Sequence, residues 1–260
     1  QREKPHFKPG WNAELFHHHD YLTGAALLQV EDGDLADLPG EGWAKALTCR
    51  VLDRTLAQGG KPEHVPRILH HRRVRPDPVR PAAIDHAAFR DLPSITVIVP
   101  TRNRVDLLRM CLTGLAGTEY PGALQIIVID NDSDDPETLD YLNALDPDFA
   151  RVMRHPGAFN FAAMNNRAIE EATGDPVCLL NNDIEIRDPD WLTTMAVQAL
   201  RPEVGAVGAQ LLYPDGRIQH AGVVTGIGGG AAHAHRLLRP EDEGYFRRHA
   251  LPQFVSAVTA

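Results

Sequence analysis

Residues 95–116 read ITVIVPTRNRVDLLRMCLTGLA. The opening run, Ile95 to Val99, is β-branched without a break and is ended by Pro100. A strand covered on both faces reads this way, because neither face tolerates polar side chains. Leu107, Leu108, Cys111, Leu112 and Leu115 then recur at helical spacing, which predicts a helix over Val105–Ala116 with one apolar face. Between strand and helix lies a polar corner, Thr101-Arg-Asn-Arg104.

The same alternation continues downstream. Gln125–Ile129 reads as a second buried strand and stops at Asp130. Pro136 opens a helix to about Leu145, at a position where its missing N–H costs little. Arg151–Arg154 reads as a short strand, and Phe161–Ala172 as a helix ended by the glycine C-cap signal Thr173-Gly174. Val177–Leu180 is a third buried strand and runs into Asn181-Asn182-Asp183. A helix over Pro189–Leu200, an extended stretch over Val204–Leu212 and a turn at Tyr213–Gly216 follow. Strands alternating with helices predict an α/β fold, a mostly parallel sheet flanked by helices.

Upstream the pattern is lost. Residues 1–75 form an irregular extension with a solvated His17–His19 run, a Gly/Asp-rich stretch at Glu31–Gly42 and a helix around Trp43–Ala57. The basic run His70–Arg75, followed by Pro76, Pro78 and Pro81, predicts a connection over 76–92 with a short helix at Pro81–Arg90. The expected domains are therefore 1–75, a linker at 76–92, and 93–260.

Composition narrows the function classes. The chain of 260 residues carries 26 Lys+Arg against 35 Asp+Glu, a net charge of −9. An acidic chain is poorly suited to nucleic acid, where affinity comes from neutralising phosphates. The longest apolar runs fall far short of the roughly 20 residues of a membrane helix, and no apolar leader opens the sequence. The three cysteines, Cys49, Cys111 and Cys178, form no CxxC pair, which fits a reducing, cytoplasmic setting better than a disulfide framework.

In a parallel sheet, ligands bind beyond the carboxyl ends of the strands. Three polar clusters fall there: Thr101–Arg104, Asp130–Ser133 and Asn181–Asp183. Each also has a plainer reading. Asp132, Ser133 or Asp134 can cap the helix at Pro136, NND can be a turn, and Arg102 and Arg104 can be solvated surface. The functional reading is nucleotide binding: Asp130 accepts from a base or ribose, and Arg102 and Arg104 reach phosphates. An acidic tripeptide at a strand end holds Mg²⁺ or Mn²⁺ against a diphosphate. GIGGGA at 226–231 is a flexible loop rather than a dinucleotide fingerprint, and His233 and His235 would share a strand face.

Taken together, ITVIVPTRNRVDLLRMCLTGLAGTEYPGALQIIVIDNDSDD (95–135) and FNFAAMNNRAIEEATGDPVCLLNNDIEI (159–186) resemble family-2 glycosyltransferases. DWLTTMAVQALRPEVGAVGAQLLYPDGRIQHAGVV (190–224) narrows the resemblance to the rhamnosyltransferase-like branch of bacterial surface-polysaccharide enzymes. The resemblance implies a GT-A fold. It also implies inverting transfer of a sugar from a nucleotide diphosphate of UDP or dTDP type to a glycan or lipid-linked glycan acceptor, in the cytoplasm or at the inner membrane face.

By resemblance, Pro100, Thr101 and Arg102 line the nucleoside pocket, Asp130 and Asn131 contact base or ribose, and Asn166 and Asn182 lie by the nucleotide. Asp183, with Asn181 where the family has its first Asp, would hold the metal, and His220 would approach the donor sugar. The family's general base lies in a segment expected beyond Ala260, so none is named and the domain is expected to be incomplete. FKPGWNAELFHHHDYLTGAALL (7–28) and PEHVPRILHHRR (62–73) resemble the join between tandem units of this branch, with 1–75 as the tail of an upstream unit. The alternative function is a non-catalytic nucleotide-binding or scaffold module. A sugar-phosphate nucleotidyltransferase fits less well, because its loop after the first strand is glycine-rich and Thr101–Arg104 has no glycine.

Overall fold

The computed structural model describes residues 7–67, 69–70, 77–79, 81, 84–85, 88–89, 91–226 and 229–259. The elements along the chain are α1 (Ala13–His18), α2 (Trp43–Ala57), β1 (Ile95–Thr101), α3 (Val105–Ala116), β2 (Leu124–Asp130), α4 (Pro136–Ala144), β3 (Arg151–Arg154) and α5 (Phe161–Ile169). They continue with β4 (Val177–Leu179), α6 (Trp191–Ala199), β5 (Leu211–Leu212), β6 (Ile218–His220), β7 (Val223–Thr225) and β8 (Ala231–His233). The helix expected over Pro81–Arg90 and the basic run to Arg75 lie largely outside the described residues, as does the centre of the 226–231 loop.

The chain divides into two compact units, Gln1–Ala82 with Gln210–Ala257, and Ala83–Ala209 with Val258–Ala260. The second carries a parallel sheet in the order β3-β2-β1-β4. Alternate residues of its central strands feed two cores. Val97, Val99, Ile126 and Val128 pack with Leu108, Cys111 and Leu112 of α3, Leu142 of α4 and Leu192 of α6. Ile98, Ile127 and Ile129 pack on the opposite face with Met153 and with Met164 and Ala168 of α5. Both faces are covered, so the unbroken apolar runs of β1 and β2 follow from their position. This is the α/β class expected.

Gly174 departs from its expected role. α5 ends at Ile169 with Glu170 as C-cap, so Thr173-Gly174 is not the cap. Gly174 instead lies against β1: a Cβ there would sit 2.6 Å from the backbone of Ile95 and Thr96, and its N–H donates to the Thr96 hydroxyl at 3.0 Å. The glycine is required by close backbone approach, a contact that no local pattern announces.

The first unit has its own core of Leu15, Phe16, Tyr21, Leu52, Phe246 and Leu251. Asn12 caps α1 by accepting from Leu15 N at 3.1 Å, and its amide donates to Phe254 O at 2.7 Å, tying the chain's early and late segments together. The histidine run is not uniformly solvated: His17 is exposed, while His19 is buried with its ring 5.7 Å from Phe246. Of the extended stretch expected over Val204–Leu212, Leu211–Leu212 is strand, paired antiparallel with β6. The expected boundaries ran the sheet-bearing domain unbroken from 93 to 260, whereas Gln210–Ala257 packs with the N-terminal segment. That association rests on pairings far apart in sequence.

Candidate functional site

The parallel register sets Thr101 beside Asp130, and Asp130 beside Arg154, so three strands end along one rim. β4 joins on the other side of β1, with Leu179 opposite Ile98 and Leu180 N donating to Ile98 O at 2.9 Å. The polypeptide leaving each strand is therefore delivered to that rim.

Thr101 is its hub. Its carbonyl accepts from Asn131 N at 2.9 Å, and its hydroxyl accepts from the Asn182 amide at 3.0 Å. One buried threonine thus holds the loops after β2 and β4. Asn103, in the left-handed region at φ 52°, makes a second tie. Its amide donates to Asp134 Oδ1 at 2.8 Å, its Oδ1 accepts from Asp134 N and Asp135 N at 3.0 and 3.1 Å, and its N–H donates to Ser133 Oγ at 2.8 Å. Asparagine is among the few side-chain-bearing residues that tolerate this backbone region. The helix cap expected at Asp132, Ser133 or Asp134 is made by the next residue, Asp135, which accepts from Thr138 N at 2.9 Å and Thr138 Oγ1 at 2.7 Å. Those bonds hold the Asp135 carboxyl below its ordinary range.

Asp130 is 1% exposed. Its Oδ1 accepts from Ser133 N at 3.2 Å, and its Oδ2 is paired with the guanidinium of Arg154, which is itself 45% exposed. Arg154 also donates to Asn143 Oδ1 at 3.2 Å. Asn131 is wholly buried, and its amide donates to His155 O at 3.1 Å and Gly157 O at 3.0 Å. Its Oδ1 has no hydrogen-bond partner among the described residues. Asp132 accepts from Gly157 N at 2.6 Å, so three hydrogen bonds tie the loop after β3 to the loop after β2.

Asn181 O accepts from the Cys111 thiol at 3.7 Å, and Asp183 is exposed. Burial and then the Asp183 charge push the Cys111 thiol up to about 12, so it stays protonated and offers no thiolate beside this tripeptide. The donors in the tripeptide are hard oxygens, a carboxylate and amides, the set that suits Mg²⁺ or Mn²⁺ rather than a softer ion. Among the described residues no group of three or more His, Cys, Asp or Glu could hold a metal ion. An ion here would therefore draw on phosphate or water oxygens as well, as Mg²⁺ ordinarily does.

The structure thus gathers Thr101, Asp130, Asn131, Asn182 and Asp183, with half-buried Pro100 and exposed Arg102 beside them. Asn166 lies on the exposed side of α5, while its neighbour Asn165 is buried and donates to Phe161 O at 2.7 Å. His220 belongs to the other compact unit, is 1% exposed, and has both ring nitrogens engaged, by His233 Nδ1 at 2.9 Å and Gly222 N at 3.3 Å. The sequence reading missed Arg154 and Asn103. Arg154 was within reach, since it is the last residue of an expected strand and strand ends make the site; Asn103 lay inside the expected Thr101–Arg104 cluster, but its partners across the rim are a matter of tertiary contact.

Residues 96–250 match the model of the family described as Glycosyl transferase family 2. The chain belongs to this family. An O-antigen biosynthesis protein of Myxococcus xanthus is 34% identical to this family member, over 89% of this chain and 21% of its own length. An uncharacterised protein of Sinorhizobium fredii is 35% identical, over 98% of this chain and 33% of its own length. The chain thus spans a third or less of the curated relatives it matches over most of its length. A mannosyltransferase from Pyrobaculum calidifontis, solved with GDP-mannose and Mn²⁺, is 28% identical with a TM-score of 0.41, covering 48% of this chain and 37% of that one. Among the described residues no helix is long and apolar enough to cross a membrane.

Proposed function

We propose that this family-2 chain binds the donor in an inverting sugar transferase. The transferase would move a sugar from a nucleotide diphosphate of UDP or dTDP type to a glycan or lipid-linked acceptor in surface-polysaccharide synthesis, on the cytoplasmic side of the membrane. The observation that carries the reading is the rim hub. Thr101 hydrogen-bonds the loops after β2 and β4 together, setting the Asp130 and Asp183 clusters along one sheet edge.

In this reading the rigid Thr101–Asn131–Asn103 network fixes the pocket floor before the donor arrives, so little order is lost on binding. The nucleoside would lie over Pro100, Thr101 and Arg102. The Asp130–Arg154 pair would supply a fixed acceptor and donors to base or ribose, with Asn131 holding the loop after β3 in place. Asn166 would lie nearby on α5. Asp183, with Asn181 and Asn182, would hold Mg²⁺ or Mn²⁺; when bound, such an ion neutralises charge on the departing diphosphate. Residues 1–75 would be the tail of an upstream unit, which accords with relatives several times longer than this chain.

Calorimetry with UDP, dTDP and GDP, each with and without Mn²⁺, tests the reading. One of them should bind more tightly with Mn²⁺, and Asp183→Ala should remove that gain, a loss of at least about tenfold in Kd. An Asp183→Ala chain that binds equally well with Mn²⁺ would refute the assignment. A second reading, a non-catalytic nucleotide-binding module, draws on Asn181 standing where a carboxylate would strengthen metal binding. Donor hydrolysis or sugar transfer, assayed on this chain and on a longer one, separates the two.

A further inference from the structure

The motif Gln219-His-Ala-Gly222 lies in the first compact unit, where its histidine meets a second one. His220 ends β6 opposite Leu211 of β5, and His233 ends β8 opposite Val223 of β7. Their Nδ1 atoms lie 2.9 Å apart with the rings edge to face. The other nitrogen of His220, Nε2, accepts from Gly222 N–H at 3.3 Å. Gly222 is held at φ +96°, and a Cβ there would sit 2.6 Å from Val255 Cγ1, so no other residue fits without strain.

These contacts fix the protons. A nitrogen that accepts the Gly222 N–H carries no hydrogen, so neutral His220 must be protonated on Nδ1. That hydrogen points at His233 Nδ1, which must then be a bare acceptor, leaving the His233 proton on Nε2. The same logic argues against a metal between the two Nδ1 atoms, since a neutral His220 ligating through Nδ1 would carry its hydrogen on Nε2, against the Gly222 N–H. The neighbouring elements bring no charge to bear: Leu211 on β5, Val223 on β7, Val255 and Ser256 on the closing segment, and Leu238, whose carbonyl accepts from Ile218 N. Of the described titratable groups, His233 alone acts on His220 electrostatically; burial first, then that neighbour, lowers the His220 imidazole below its ordinary range.

We propose that His220 and His233 form a one-hydrogen clasp holding the β7–β8 hairpin to β6, and that uptake of one proton opens it. A proton from solvent arriving on His233 Nδ1 sets N–H against N–H. If the His220 hydrogen instead moves to Nε2, it meets the Gly222 N–H. Every placement of the added proton breaks one of the two bonds, so the hairpin loosens in acid.

The test is long-range ¹H–¹⁵N NMR with amide exchange on the full chain. At about pH 7.5 the spectra should show His220 protonated on Nδ1 and His233 on Nε2. At about pH 5 the protection factors of Val223–Thr225 and Ala231–Ala234 should fall by about tenfold or more relative to those of β1 and β2. His233→Asn places an amide oxygen where Nδ1 accepts, so the His220 Nδ1 hydrogen keeps its acceptor in acid, and at about pH 5 its hairpin should keep clearly more protection than the wild type. A His220 hydrogen on Nε2, an acid-insensitive wild-type hairpin, or a His233→Asn hairpin as acid-sensitive as the wild type would each overturn the proposal. If His233→Asn fails to fold, the wild-type tautomers and protection factors decide alone.

Discussion

Asn131 shows how a candidate site residue matters through the backbone it holds. Its amide hydrogens are spent on two backbone carbonyls, those of His155 and Gly157, in a position with no exposure. Asn131→Asp would turn a double donor into an acceptor facing two carbonyl oxygens. We predict a loss of about 3 kcal/mol or more in urea denaturation, well beyond the about 1 kcal/mol typical of a surface change. A variant as stable as the parent would show that the loop after β3 is held by something else. At this scale the sequence was informative about residue type and position but not about partners. Asp130 was legible as the end of an apolar strand, whereas its pairing with Arg154 depends on which strand lies beside β2, a fact of register.

Among elements, the apolar period of α3 was enough to define its span, and the β-branched run placed β1, which continues past the expected stop at Pro100 to Thr101. Short elements such as β5 to β8 were not, since two- and three-residue strands carry no period. Gly174 is the instructive failure: a glycine after a helix suggests a cap, yet here its lack of a side chain lets the chain cross β1. Gly174→Ala should cost about 1–3 kcal/mol through overpacking against backbone, with a matching fall in Tm. A cap role would predict a far smaller effect, since Gly174 is not in the left-handed region. Asp135→Ala should cost about 1 kcal/mol by removing the cap on α4, measurable in the same way.

For the whole chain, two histidines shifted by burial, half-buried His235 and buried His220, contribute to the response to acid. Burial, with smaller contributions from His249 and Arg248, lowers His235 from 6.5 to about 4, and His220 is lowered too. Both are neutral in the fold and bind protons more readily when unfolded. The unfolded state therefore holds more protons between 6.5 and about 4, and stability falls as pH drops through that window. Urea midpoints measured across it should decline toward acid, and His235→Gln should flatten the decline; a midpoint rising toward acid would contradict the sign. The division into compact units was the least legible feature. Bonds such as Asn12 to Phe254 join residues more than two hundred positions apart, and nothing in either local sequence marks them.

Under the proposed function the three loops act as one donor-binding edge, and hydrogen–deuterium exchange with and without nucleotide and Mn²⁺ reads that edge directly. With whichever of UDP, dTDP or GDP binds, peptides spanning 101–104, 130–135 and 181–183 should gain protection together, and Asp183→Ala should diminish the gain in all three. Protection confined to one of these segments, or appearing elsewhere while all three stay unchanged, would contradict it.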